Sequence, residues 1–375
     1  MQALLLLAII LGCLAGPAQA QTNIAQQRLN HLRRGINLSS WFAQVFDSKG
    51  YTKEHFQTYT TASDIALIKA MGFDHVRLSV NPQPMFTSGH AEDIPAEYLG
   101  YLDDAVKMIL EQRLAVIIDL HPEADFKTKL ASDDTESVEQ LTYFWRALAR
   151  HYSNLDPELV YFEVLNEPEM RDRYRWIGVQ TKLAAAIREG APQHTIIAAG
   201  ARWSDNDDLL FMEPLRDLNV IYNFHFYEPH IFTHQGATWS VNFWHSVGNL
   251  PYPSNLESAK KIAEHVPDEI NRLYVIRYGA EHWDATRIDA EIAQVAAWAQ
   301  RRGVPVTCNE FGVYRKTVDA RDRSAWLHDV RASLEQHGMG WTMWDYSGGF
   351  GVVTKENGKA VPDVVTVQAL GLKLP

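Results

Sequence analysis

Cysteine is scarce: the 375 residues hold two, Cys13 and Cys308. Cys13 falls in an apolar N-terminal stretch, so a processed chain would keep only Cys308 and no disulfide framework, and stability has to come from a core. Positive charge is also short. Lys plus Arg number 35 against 46 Asp plus Glu, a formal net charge of −11; this argues against nucleic acid or an anionic membrane surface as a partner and leaves neutral ligands. No apolar run reaches the roughly 20 residues of a membrane span. There is no Gly/Ser or Pro/Thr linker, low-complexity tract or internal repeat to mark an appended module. A Gly-rich phosphate loop is missing after the first strand-like run, and no His-x-His or His-Glu-x-x-His spacing occurs, so the pattern calls for neither a nucleotide cofactor nor a metal.

Residues 1–20 carry no charged side chain. They contain the run Ala3-Leu4-Leu5-Leu6-Leu7-Ala8-Ile9-Ile10-Leu11 and then Ala18-Gln19-Ala20, a small-x-small cleavage pattern. This reads as a secretory signal peptide over 1–20, with 21–375 as one domain secreted or released to a periplasm. Ile10-Leu11-Gly12-Cys13 resembles a weak lipobox, which makes a lipid anchor at Cys13 the alternative. Oligomeric state is not legible.

What is present is apolar bulk in a regular order. Hydrophobic residues make up 46% of the chain and charged residues 22%, enough to bury a large core. Strand-like runs recur at Gly35–Leu38, Asp74–Ser79, Leu114–Leu120, Leu159–Leu165, Thr195–Ala199, Val220–Phe226, Val304–Cys308 and Gly340–Trp344. Helical periodicity fills the gaps at Ala62–Met71, Ala96–Gln112, Glu136–Tyr152, Trp176–Glu189, Asp289–Arg302 and Ser324–His337, with Gly72, Gly190, Gly303 and Gly338 placed as left-handed residues beyond helix ends. About eight alternating units of this kind predict an α/β fold, a (β/α)8 barrel, with an open doubly wound sheet as the runner-up. The stretch from Tyr227 to Trp283 is irregular and holds Phe232, Trp239, Phe243, Trp244 and Tyr252. It reads as an extended loop after strand six on the catalytic face, its aromatics split between substrate contact and packing.

Two carboxylates stand behind strand-like runs, Glu167 in Asn166-Glu167-Pro168 and Glu310 after Val304-Pro305-Val306-Thr307-Cys308-Asn309. Paired carboxylates delivered by two strand ends suit double displacement at a sugar acetal. Other polar residues converge at strand ends: Arg77 on the second, His121 after the third, Asn166 on the fourth, His225 and Tyr227 on the sixth, Trp344 on the eighth. The bland readings are an ion-pair partner for Arg77, satisfied core histidines for His121 and His225, and core filling for Trp344. Cys308 is expected in the barrel wall.

Taken together, Arg34-Gly35-Ile36-Asn37, Arg77, Asp119-Leu120-His121, Asn166-Glu167-Pro168, His225-Phe226-Tyr227, Asn309-Glu310-Phe311-Gly312 and Trp341 to Trp344 resemble glycoside hydrolase family 5, the cellulase-type retaining barrels, over nearly all of the chain after residue 20. The resemblance implies Glu167 as general acid/base and Glu310 as nucleophile, with Arg77 and the Tyr227 hydroxyl holding the latter. Asn166 suits the sugar 2-hydroxyl, Trp344 a stacked pyranose ring, His121 and His225 further hydroxyls or the carboxylates, and Trp41, Trp203 and Trp239 outlying subsites. The expected reaction is retaining hydrolysis of β-1,4-glucosidic bonds in a polysaccharide, without cofactor. A β-mannan, β-1,3-glucan or exopolysaccharide is the alternative substrate, and a non-catalytic polysaccharide-binding barrel the remote alternative.

Overall fold

The computed structural model describes residues 23–86, 93–132, 135–239 and 244–375. The proposed signal segment, the lipobox at Cys13 and Phe243 lie outside them. Eight parallel strands close into a barrel in sequence order: β1 Arg34–Phe42, β2 His75–Val80, β3 Ala115–Leu120, β4 Val160–Glu163, β5 Thr195–Ala199, β6 Val220–Phe226, β7 Val306–Phe311 and β8 Gly340–Met343. β8 returns to pair with β1, Arg34 opposite Trp341. The (β/α)8 expectation holds. No helix among the described residues is long and apolar enough to cross a membrane.

The barrel is possible because each strand is apolar on its outer face and each following helix has one buried stripe. Val76, Leu78, Val116, Ile118, Val160, Phe162, Ile196 and Phe224 are buried with Trp145, Trp176, Trp298 and Trp326 from the helices. Inside the barrel the period of two puts Ile117, Tyr161, Ile197 and Ile221 in a second, small apolar cluster, capped by Ala25, Leu29 and Leu32 at the chain's start. Two residues further along the strands the buried side chains are Asp119, Glu163 and Asn223. Apolar and polar halves of the lumen thus come from one alternation.

Helices begin a few residues before their apolar stripes. The expected Trp176–Glu189, Asp289–Arg302 and Ser324–His337 are Arg173–Gly190, Ala285–Arg302 and Ala320–Gln336, each opened by an aspartate side chain (Asp172, Asp284, Asp319) accepting from first-turn N–H groups. Gly72, Gly303 and Gly338 have positive φ as expected. Gly190 does not: it is the last residue of its helix, and a Cβ there would lie 2.7 Å from the Arg146 carbonyl oxygen and 2.9 Å from the Ala149 Cβ. It is glycine because helix Thr135–Tyr152 packs directly on it.

The region after β6 is largely helical. It carries Leu256–Ala263 and Glu269–Ala280. Phe232, Trp244 and Tyr252 are buried, Phe232 stacking on Tyr278 and packing at a tilt against Tyr252, whereas Trp239 is exposed. An antiparallel hairpin, β9 Val353–Glu356 and β10 Lys359–Pro362, follows β8 and had no counterpart in the sequence reading.

Candidate active site

At the C-terminal end of the lumen one guanidinium organises the polar side chains. Arg77, on β2 and fully buried, donates from Nη1 to Glu310 Oε1 at 2.7 Å and Asn37 Oδ1 at 3.0 Å, and from Nη2 to Glu163 Oε1 and Asn166 Oδ1, both at 2.8 Å. Its Nε reaches Glu163 Oε2 at 2.9 Å and its Nη2 lies 3.1 Å from Asp119. It is an ion-pair partner, and one of the pairs is with Glu310. Burial raises the pKa of Asp119 to about 6 and that of Glu163 above the usual carboxylate range, with Arg77 opposing both. Removing Arg77 would strand these buried carboxylates, at a cost of about 3–5 kcal/mol.

Glu310 lies inside β7 rather than behind it, a correction of one strand turn. The reason is a register shift opposite Phe224 and His225, so that Cys308 pairs with Phe224 and Glu310, not Asn309, with His225. The bulge turns two successive side chains inward: Asn309 Nδ2 donates to Glu163 Oε2 at 2.6 Å, and Glu310 meets Arg77. Cys308 is buried in the wall as expected, its thiol raised by desolvation. The Tyr227 hydroxyl donates to Glu310 Oε2 at 2.9 Å. Burial first, then the charge of Glu310, push that phenol well above its ordinary pKa, so it stays a donor. Gly312 is required behind this segment, because a Cβ would stand 2.3 Å from the Trp344 carbonyl oxygen.

Glu167 is built differently. β4 ends at Glu163, and Glu167 sits on the loop beyond with φ +44°. The left-handed region is rare for non-glycine residues and costs on the order of 1–3 kcal/mol. Its Oε1 faces His225 Nδ1 at 2.9 Å, and the same nitrogen lies 3.5 Å from Glu310 Oε2. One oxygen each of Glu167 and Glu310 and a nitrogen of His225 fall within 4.8 Å of one another, the one such group of metal-capable side chains among the described residues. His225 is buried and its pKa is depressed to about 4, chiefly by desolvation, so near neutrality it is uncharged and can donate through Nδ1.

His121 has both ring nitrogens engaged. Nδ1 faces Asp119 at 3.0 Å, and Nε2 lies 3.1 Å from Gln44 Nε2 and 3.2 Å from Asn166 Nδ2. Desolvation holds its pKa down to about 3, leaving Nδ1 as donor and Nε2 as acceptor. His121 therefore sets Asn166 and supports Trp344, whose ring it stacks at 5.7 Å and 17°. Trp344 also clusters with Tyr227 and Phe350. From there a tilted contact joins Phe350 to Tyr314, and an edge-to-face contact at 4.7 Å joins Tyr314 to exposed Trp239.

Of the three outlying tryptophans, Trp239 and Trp203 are exposed, and Trp203 sits beside the Glu167 loop, its backbone N–H donating to the Pro168 carbonyl at 3.0 Å. Trp41 is corrected. It belongs to β1, is 2% exposed, and spends its indole N–H on the Phe56 carbonyl at 2.8 Å; the strand runs four residues past the expected Leu38 and carries Trp41 into the core. Sequence reasoning missed Asn37, Asp119, Glu163, Asn223 and Asn309 as one buried network around Arg77. An acid within the apolar run Leu159–Leu165, in phase with Tyr161, was the available signal.

Residues 40–349 match the family profile Cellulase (glycosyl hydrolase family 5). Endoglucanase C of Acetivibrio thermocellus is 28% identical over 324 residues, 84% of this chain and 91% of that protein. Cellodextrinase A of Ruminococcus flavefaciens is 25% identical over 82% of this chain and 83% of its own length. The crystal structure of endoglucanase Cel5A from Thermotoga maritima superposes with a TM-score of 0.76 at 23% identity, over 92% of this chain and 99% of that one. With the barrel, the order of its strand-end residues and the family match in agreement, this chain belongs to glycosyl hydrolase family 5.

Proposed function

We propose that the protein is a retaining endo-acting β-1,4-glucanase in which Glu310 is the nucleophile and Glu167 the acid/base. One observation carries the assignment: Glu310 is 5% exposed and held at both oxygens by donors, Arg77 and Tyr227, while Glu167 is 25% exposed and faces the cleft with one histidine contact. A carboxylate fixed by a cation and a phenol is suited to attack as the anion. A partly solvated one is suited to exchange protons with a leaving group and with water. Their nearest oxygens, within 4.8 Å, agree with the roughly 5–5.5 Å separation of retaining pairs rather than the 6.5–9.5 Å of inverting ones.

In the first step a Glu310 oxygen bonds to the anomeric carbon as the glycosidic C–O bond breaks, and the Glu167 proton passes to the departing oxygen. In the second, Glu167 takes a proton from water, the water oxygen bonds to the same carbon, and Glu310 leaves as carboxylate. Asn166, oriented by Arg77 and His121, is placed for the sugar 2-hydroxyl, and Trp344 for the ring. The names of relatives such as Endoglucanase C favour a β-1,4-glucan. Export to reach such a polymer, expected from residues 1–20, belongs to the same proposal.

The test is digestion of carboxymethyl-cellulose, mixed-linkage β-glucan, mannan and laminarin, with product sizes and the first-formed anomer followed by NMR. Internal cuts in the β-1,4-glucans with β product first are expected. Preference for mannan or laminarin would move the substrate, and α product first would refute the mechanism.

A further inference from the structure

The acid/base side of the cleft continues beyond the catalytic centre along two loops zipped together. Beyond Glu167, Pro168 accepts from Trp203 N–H at 3.0 Å, Glu169 and Arg202 form an antiparallel bridge, and Met170 N–H donates to the Ala201 carbonyl at 3.2 Å. Trp203 and Ser204 hold φ values of +48° and +54°. Two successive left-handed non-glycine residues persist only where the surroundings impose them, and here Ser204, fully buried, accepts from His225 N–H at 2.8 Å. The result is an indole turned out to solvent, 52% exposed.

Further out the two loops lead into helices Arg173–Gly190 and Asn206–Phe211. Asp208 binds Arg202 Nε at 2.7 Å through one oxygen and Arg173 Nε through the other. The Arg173 guanidinium lies 4.8 Å from the centre of the Phe211 ring, and Phe211 meets Tyr174 edge-on at 5.4 Å. Tyr174 is 74% exposed and Phe211 39%. Neither ring contributes to the barrel core, yet both are held in place, one by the cation over it and one by the other ring.

We propose that Trp203, Tyr174 and Phe211, with Arg173 over the Phe211 ring, form an outward continuation of the leaving-group side of the cleft that holds the distal units of a long β-glucan chain. The inference rests on the glucanase reading above. The direction follows from the chemistry: the acid must touch the departing oxygen, so the loops carrying and bracing Glu167 flank the part of the chain that departs. The occupant follows from the surface. Flat aromatic faces suit the C–H faces of pyranose rings, and the part-exposed guanidinium of Arg173, fixed from behind by buried Asp208, suits equatorial hydroxyls, a spacing of apolar and polar groups that an extended glucan shares and a continuous apolar protein patch does not.

The experiment compares wild type with Tyr174→Ala, Phe211→Ala and the double variant on 4-nitrophenyl cellobioside, cellohexaose and soluble β-glucan. Migration in gels containing hydroxyethyl-cellulose is measured in parallel, in a Glu310→Gln background so that the polymer survives. The double variant is expected to keep wild-type kinetics on the short aryl glycoside, raise KM on the polymer about three- to tenfold, and lose most of the gel retardation. Tyr174→Phe should retain the polymer KM, since the ring face remains. Unchanged polymer KM and retardation in the double variant would overturn the track while leaving the glucanase reading intact. So would equal losses on the aryl glycoside and the polymer. A wild-type protein that cleaves none of the three substrates would remove the glucanase reading, and the track with it.

Discussion

Glu310 and Glu167 are the same side chain at the mouths of β7 and β4, and the barrel surrounds them differently. β7 carries Glu310 within its own ladder, aimed by a bulge onto Arg77 and Tyr227. β4 stops four residues short of Glu167 and leaves it on a left-handed loop residue with a neutral histidine as its contact. The comparison teaches how, under the proposed mechanism, identical carboxyls would acquire separate chemical tasks from backbone placement: the strand gives rigidity and donors, and the loop would give access to water and to the leaving oxygen.

The largest effect should come from the strand side. Glu310→Ala is expected to reduce turnover on the order of a thousandfold or more, with added azide partly restoring cleavage and giving inverted product. Near wild-type turnover in this variant would erase the distinction. On the loop side, Glu167→Ala should cost about 10²–10⁴ in kcat on unactivated oligosaccharides and far less on aryl glycosides with acidic phenols. A loss uniform across leaving groups, seen in a Brønsted plot, would deny the loop carboxyl its acid role.

Smaller effects sharpen the contrast between centre and rim. Trp344→Ala should cost turnover by about 1–3 kcal/mol, on the scale of a lost aromatic stacking contact, at every chain length. Trp239→Ala should weaken only longer cello-oligosaccharides, because that ring stands at the far end of the contacts through Tyr314. Kinetics on a chain-length series reads both, and parallel losses for the two variants would mark Trp239 as packing.

The smallest effect concerns stability. His121 and His225 are held neutral in the fold, with pKa values near 3 and 4, against about 6.5 in an unfolded chain. Depressed groups contribute stability that is full above the unfolded value and declines as pH falls toward the folded one. Asp119, raised to about 6, acts in the opposite sense, gaining as pH falls from about 6 toward its unfolded value near 3.9. Because raised carboxylates such as Asp119 and Glu163 oppose the histidines, the expectation is read by difference: His121→Gln should lose less Tm between about pH 6.5 and 4 than wild type, measured by thermal melts across pH. An equal change in the two proteins would contradict the neutral assignment.

Much of this architecture was legible in the chain because eight apolar runs and their intervening helical stripes impose a period. Glu167, Glu310 and Arg77 were legible because each is a charged residue in or just beyond an apolar strand run. The inward turn of Glu310 was not, since a bulge depends on pairing with β6 and leaves no mark on composition. Glu163 was overlooked inside an apolar run, although a lone acid there has to find a cation. Trp41 was misplaced because strand length, unlike strand existence, is set by neighbours. The helices Leu256–Ala263 and Glu269–Ala280 were hidden because they are inserted between β6 and β7 outside the strand–helix repeat, although their Ala259, Val275 and Tyr278 join the main core.

The central claim is that the strand-borne carboxylate becomes covalently bound to sugar during turnover. Incubating the enzyme with an activated 2-deoxy-2-fluoro-β-cellobioside, whose fluorine slows breakdown of the glycosyl ester, and mapping the labelled peptide by mass spectrometry tests it directly. The account predicts one adduct per chain, on Glu310, in the peptide containing Cys308-Asn309-Glu310-Phe311. An adduct on Glu167, or turnover of the reagent without any adduct and with inverted product, would contradict it.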